Sequence, residues 1–72
     1  MIAHLIASNK TDLEVCLGHL RLFKALKDMG DIRQERGVYI CTLRLSKPFD
    51  VVSKSIRDRF GRFVQIRKKL GL

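Results

Sequence analysis

The stretch R57-DRFGRFVQIRKK-69 decides how this chain is read. Its first residues close an amphipathic pattern: Phe49, Val52, Ile56 and Phe60 recur at intervals of three, four and four, the spacing of one helix face. If that pattern runs on through Phe63 and Leu70, the chain ends in one long helix and the order is β-α-β-β-α. If Gly61 stops the helix, residues 62–68, RFVQIRK, form a fourth strand. A second Gly-x-φ-x-Gln-x-Arg run favours the strand. Gly30-x-Ile32-x-Gln34-x-Arg36 is matched 31 residues later by Gly61-x-Phe63-x-Gln65-x-Arg67. Each run follows a helical pattern whose last turns hold a Lys/Arg-Asp pair, Lys27-Asp28 and Arg57-Asp58.

Working outward, the other elements fall into the same plan. Residues 2–7 are apolar and suit a strand. Thr11 and Glu14 have the spacing of a capping box, and a helix is expected over 12–29 with Gly30 as its left-handed cap. Two apolar stripes run along it. Leu13, Cys16, Leu17, Leu20 and Phe23 form one; Val15, Leu22, Ala25, Leu26 and Met29, with Gly18 as a gap, form the other. The second stripe needs cover from the other helix or from another molecule. A strand at 31–35, a turn at Arg36-Gly37 and a strand at 38–45, rich in β-branched residues, read as a hairpin. Pro48 suits the first turn of the helix that follows. Two strand-helix-strand units in tandem predict an α+β fold, the ferredoxin-like β-α-β-β-α-β sandwich. Its four-stranded antiparallel sheet carries both helices on one face.

The chain of 72 residues is read as a single domain, 1–72, with a core small enough to be marginal unless well packed or shared with a second copy. Residues 1–32 hold four basic and four acidic side chains; residues 33–72 hold eleven basic and three acidic ones. The net charge of +8 therefore belongs to the second part. A one-sided positive field draws polyanions. The first residues lack a charged leader and a cleavage site, and no apolar run approaches a membrane span. The two cysteines are accordingly expected to be reduced thiols of a cytoplasmic protein with no membrane partner.

Little in the sequence asks for catalysis. Asp12 and Glu14 suit a helix start, and no two carboxylates have a spacing that brings them together. Cys16 and His19 are neighbours on one helix flank, and with His4 and Cys41 a four-ligand zinc site can be imagined. The plainer reading makes the cysteines small core residues. No enzyme activity, metal or cofactor is expected. Residues 36–43, RGVYICTL, share a basic residue and a glycine with the signature strand of RNA-recognition motifs. The two outward positions that would stack on bases there are Val38 and Ile40, so that module's chemistry is missing.

If Tyr39, Cys41, Leu43 and Leu45 face the helices, the opposite sheet face shows Val38, Ile40, Thr42 and Arg44, with Ile2, His4, Ile6, Phe63, Gln65 and Arg67 beside them. Two uses follow. A second copy covers the apolar part, with Val38, Ile40 and Phe63 at the interface of a homodimer. Or nucleic acid, DNA or RNA, lies across it, held through phosphates by Arg57, Arg59, Arg62, Arg67, Lys68 and Lys69 and extended by Arg33, Arg36 and Arg44. The expected function is that of a small basic, non-enzymatic, nucleic-acid-binding regulator. The alternative is a protein–protein regulator of antitoxin, adaptor or inhibitor type, its sheet face and basic residues meeting an acidic protein.

Overall fold

A computed structural model describes residues 1–69. Its elements are β1 (Ile2–Ala7), α1 (Lys10–Leu22), β2 (Leu26–Glu35), β3 (Val38–Leu45), α2 (Phe49–Phe60) and β4 (Val64–Lys68). The strands form one antiparallel sheet in the order β2-β3-β1-β4. This is the β-α-β-β-α-β sandwich expected from the sequence, with a fourth strand in place of a long final helix. Leu70 of the long-helix alternative lies outside the described residues.

Gly61 carries the decision. It stands at the end of α2 with φ +59° and ψ −122°, a backbone region open to glycine and strained for other residues. Its amide donates to the Arg57 carbonyl at 2.9 Å, closing the last turn. The chain then reverses through Arg62 and Phe63 and enters β4, two residues later than the sequence suggested. At the other end of α2, Pro48 stands at the cap itself, one place before the first turn. Its carbonyl accepts from the amides of Val51 and Val52.

The first helix departs from expectation at both ends. Asn9 caps it in place of Thr11. The Asn9 side-chain oxygen accepts from the Asp12 amide at 2.8 Å, and its NH2 donates to the Asp12 carboxylate at 2.9 Å, a reciprocal arrangement set two residues early. The helix ends at Leu22, not Met29. Lys24 takes the left-handed conformation, φ 58°. The Ala25 amide donates to the Leu20 carbonyl and the Lys24 amide to that of Arg21, which is a Schellman end built without glycine.

The residues read as the end of that helix belong instead to β2, which pairs with β3 from Leu26↔Leu45 to Glu35↔Val38, with irregularities after Leu26 and after Met29. Strand pairing supplies long-range hydrogen bonds and packs Leu26, Met29 and Ile32 on the core. That outweighs the local helix preference of an Ala-Leu-Lys run. Gly30 is therefore a mid-strand residue and not a helix cap. Its carbonyl accepts from the Cys41 thiol at 3.3 Å. The matched Gly30 and Gly61 runs are not structural equivalents, although the strand they pointed to exists.

Alternation within the strands separates two faces. Ala3, Leu5, Ala7, Cys41, Leu43, Leu45 and Val64 are buried under Leu13, Cys16, Leu17 and Leu20 of α1 and Val52 and Ile56 of α2. The residues between them face away from the helices. The β2–β3 hairpin turns through Arg36, φ 49°, and Gly37, φ 81°, the two positive values that a tight two-residue turn requires.

Candidate nucleic-acid interface

The uncovered face of the sheet is built by pairing. In the register of β3, β1 and β4, Ile6 lies between Ile40 and Gln65, and His4 lies between Thr42 and Arg67. Ile2 lies beside Arg44. From β2, Arg33 lies beside Ile40, Glu35 beside Val38 and Asp28 beside Arg44. Val38 and Ile40 are half-buried there, while Arg44, Gln65 and Arg67 are exposed. The two-residue period of the strands thus places the apolar and basic members where the sequence implied.

Two hollows lie around β4, an edge strand, one lined by two basic residues and the other by one. Along its free edge, Ser53, Ile56 and Arg57 of α2 and Gly61, Val64, Gln65, Ile66 and Arg67 line a hollow of about 230 Å³. Arg57 donates to the Ser53 hydroxyl at 3.4 Å, one helical turn back, which holds the guanidinium on this side of α2. At the end of the open face, Ile6, Ala7, Ser8, Val38, Arg62, Phe63 and Gln65 line a smaller hollow of about 170 Å³. Phe63 is 66% exposed there. Arg36, at the hairpin tip next to Gly37, belongs to this same end of the sheet, where Val38 and Ala7 begin and end their strands.

Other candidates point elsewhere. Arg59 lines the cleft between the helices with His19, Ser55 and Asp58, away from the β4 edge. Arg33 sits on the far edge strand, bound to Glu35 at 3.8 Å. Lys68 faces the helix layer, its ammonium 5.6 Å from the centre of the Phe49 ring. Lys69 follows directly, its amide donating to the Ile2 carbonyl. Ser53 was not singled out from sequence. Its place four residues before Arg57 was the available signal.

Among the described residues, the ion pairs are Lys10–Glu14 at 4.0 Å and Arg33–Glu35 at 3.8 Å. Arg57, Arg62, Arg67, Lys68 and Lys69 form no ion pair there, and neither does Arg44, although Asp28 stands opposite it on β2. All six residues are exposed, the Lys68 ammonium lying over the Phe49 ring.

The histidines and cysteines imagined as a zinc site, His4, Cys16, His19 and Cys41, do not converge. His4 lies on the open face, whereas Cys16 and Cys41 are buried on the helix side. Burial pushes the Cys16 thiol up to about 12. It also raises Cys41, with Asp31 adding to the effect. Both thiols are thus protonated, and weak as nucleophiles, at neutral pH. His19 shares a 2.8 Å hydrogen bond with the Ser55 hydroxyl and stacks on Phe23, with Phe60 edge-on. Among the described residues, no three His, Cys, Asp or Glu side chains are grouped to hold a metal ion, and no helix is long and apolar enough to cross a membrane. Neither the family descriptions, nor the curated proteins, nor the solved structures compared with this chain show a match.

Proposed function

We propose that this protein binds nucleic acid through its phosphates, along the free edge of β4 and across the open face of the sheet. The observation that carries the reading is a cluster: of the thirteen Lys and Arg residues that form no ion pair among the described residues, Arg57, Arg62, Arg67, Lys68 and Lys69 gather on the end of α2, the turn and β4, and Arg44 adds a sixth cation on the open face. Arginine forks suit phosphate oxygens in paired hydrogen bonds, and lysines add point charge. Phe63 offers one exposed ring on which a base can stack, beside Gln65 and Arg62. Such an interface positions a strand more than it reads sequence. It acts by occupancy, as a non-enzymatic regulator does.

Fluorescence anisotropy with labelled single-stranded and duplex oligonucleotides, titrated across salt, tests the proposal. Six phosphate contacts give a log–log slope of about −5 on duplex and about −4 on single strands. Phe63→Ala should weaken single-strand binding and spare duplex binding. An affinity that is absent at low salt, or indifferent to salt, sinks the reading.

A second reading is favoured by one observation. Ile2, Ile6, Val38 and Ile40 make the centre of the open face apolar, which a purely electrostatic strand contact does not need. An acidic protein would use that centre and the cations around it together. Retention of a protein partner after nuclease treatment, with loss of oligonucleotide binding, would decide for it.

A further inference from the structure

The helix layer carries an apolar strip with no cover. Val15 and Leu22, two turns apart on α1, are 56% and 87% exposed. With Gly18, Arg21, Arg59 and Phe60 they line a hollow of about 560 Å³. The second stripe read from the sequence was expected to be covered by the other helix or by another molecule. Of its later members, Ala25 is buried in the turn after α1 and Leu26 and Met29 have gone into β2, and these two remain outside.

Gly18 has no internal reason to be glycine. In a helix interior glycine costs about 1 kcal/mol relative to alanine. Here a Cβ would meet nothing within 4 Å, and the backbone is ordinary helix. What glycine offers at such a place is close approach of another backbone.

The charges beside it say which backbone. At roughly 100° per residue, Glu14 and Arg21 lie on one side of Gly18, and Val15 and Leu22 on the other. Glu14 is engaged only with Lys10, at the 4.0 Å limit between two well-exposed side chains. Arg21 donates to the Met29 sulfur at 3.1 Å, a weak acceptor. Turned end for end about Gly18, the strip brings Glu14 onto Arg21 and Val15 onto Leu22. It is complementary to its own antiparallel copy, the requirement of a two-fold interface.

We infer that α1 pairs with α1 of a second copy of this chain, antiparallel and crossing at Gly18. Glu14 of each copy meets Arg21 of the other, and Val15 meets Leu22. A generic acidic helix would satisfy Arg21 and leave Glu14 facing like charge; a second copy satisfies both. In such a dimer the two sheets lie outermost, so the open faces and β4 edges stay free. The pairing stands independently of what those faces bind.

Sedimentation equilibrium without nucleic acid tests it, at about 0.15 M salt, where the Debye length of about 8 Å screens the mutual repulsion of two basic chains. The expected mass is that of two chains. Arg21→Glu and Glu14→Arg each place like charges opposite one another and reduce it to one chain; the double variant Glu14→Arg/Arg21→Glu restores two. Gly18→Leu also yields one chain, with circular dichroism confirming that the substitution, at a half-buried position whose Cβ meets nothing within 4 Å, leaves the fold intact. A wild-type chain that is monomeric at every soluble concentration overturns the inference. So does a dimer unaffected by the single charge reversals, which would place the contact elsewhere, the sheet face included. Failure of the double variant to recover overturns the pairing of Glu14 with Arg21.

Discussion

In β1-α1-β2 a central strand leads to a helix and on to one edge of the sheet; β3-α2-β4 repeats the course to the opposite edge. The two halves share a core and differ in what they turn outward. The first is electrically balanced over residues 1–32, and its helix exposes Val15 and Leu22. The second has eleven basic residues against three acidic over residues 33–72, with cations on its helix, its turn and its edge strand. The first half follows the same strand-helix-strand course without that charge. On the proposed reading, packing belongs to what the halves share and nucleic-acid binding to what they do not.

The hardest test of the shared part compares its two central strands. Leu5 of β1 and Leu43 of β3 are both fully buried. Leu5→Ala and Leu43→Ala should each cost about 3 kcal/mol, within the usual 2–5 kcal/mol for a buried leucine. Urea denaturation measures both. In so small a domain either loss takes up much of the stability. A cost near zero on one strand and large on the other would show that only one half builds the core.

The next test concerns the unshared part. Replacing Arg57, Arg62 and Arg67 with glutamine removes three of the six proposed phosphate contacts. The salt slope on duplex should fall from about −5 to about −2.5, at nearly 1 per contact, while the melting temperature barely changes. Lys10, Lys24 and Lys27 changed together to glutamine remove as much charge from the first half. They should leave the slope where it was. Equal effects from the two triples would mean that net charge alone binds and that the place of the cations is irrelevant.

The halves were unequally legible. α2 has a clean stripe, a proline at its start and a glycine at its end, so local chemistry marks it. β1 and β3 carry alternating or β-branched residues, and their outward residues follow from the two-residue period. α1 gave no such mark at its end. Residues 25–29, ALKDM, are good helix formers, and the stop at Lys24 uses a residue that rarely adopts φ 58°. What turns Leu26 to Met29 into strand is β3, whose paired residues lie 14 to 19 positions away in sequence, which no local pattern reports. Arg59 is a different case. It stands roughly 200° from Arg57 on a helix, so helical spacing alone separates the two, although the sequence reading groups them; the interhelical cleft is where the structure puts it.

Helix ends sharpen the comparison at a smaller scale. Gly61→Ala forces a side chain into a backbone region costing about 1–3 kcal/mol, with no nearby atom to blame, since a Cβ there meets nothing within 4 Å. Lys24→Gly works the other way. It relieves a left-handed residue and should stabilise by about 0.5–1 kcal/mol after the added freedom of the unfolded chain is counted. Thermal unfolding of the two variants should therefore shift in opposite directions. A loss of stability in Lys24→Gly would mean that the lysine side chain holds the turn by some contact of its own.

The smallest effect lies on the seam where the halves meet. His19 of α1 bonds Ser55 of α2 and packs against Phe23 and Phe60. Burial, and then the nearby Arg59 charge, hold its pKa below the usual 6.5. Asp58 lines the same cleft, but the downward direction shows that it does not offset these two causes. The folded state then binds fewer protons than the unfolded one between the lowered value and 6.5. The seam's contribution is complete above about pH 6.5, the unfolded value, and falls as pH drops toward the folded value. Below the folded value the loss is constant. His19→Gln removes this dependence. The stability difference between wild type and variant, followed by urea denaturation from pH 8 to pH 5, should shift against the wild type as the solution is acidified. Arg59→Gln should weaken the trend, because it removes the second cause and leaves the first. A difference that stays flat across that range would mean that His19 titrates alike in both states, and that the seam is held by its rings alone.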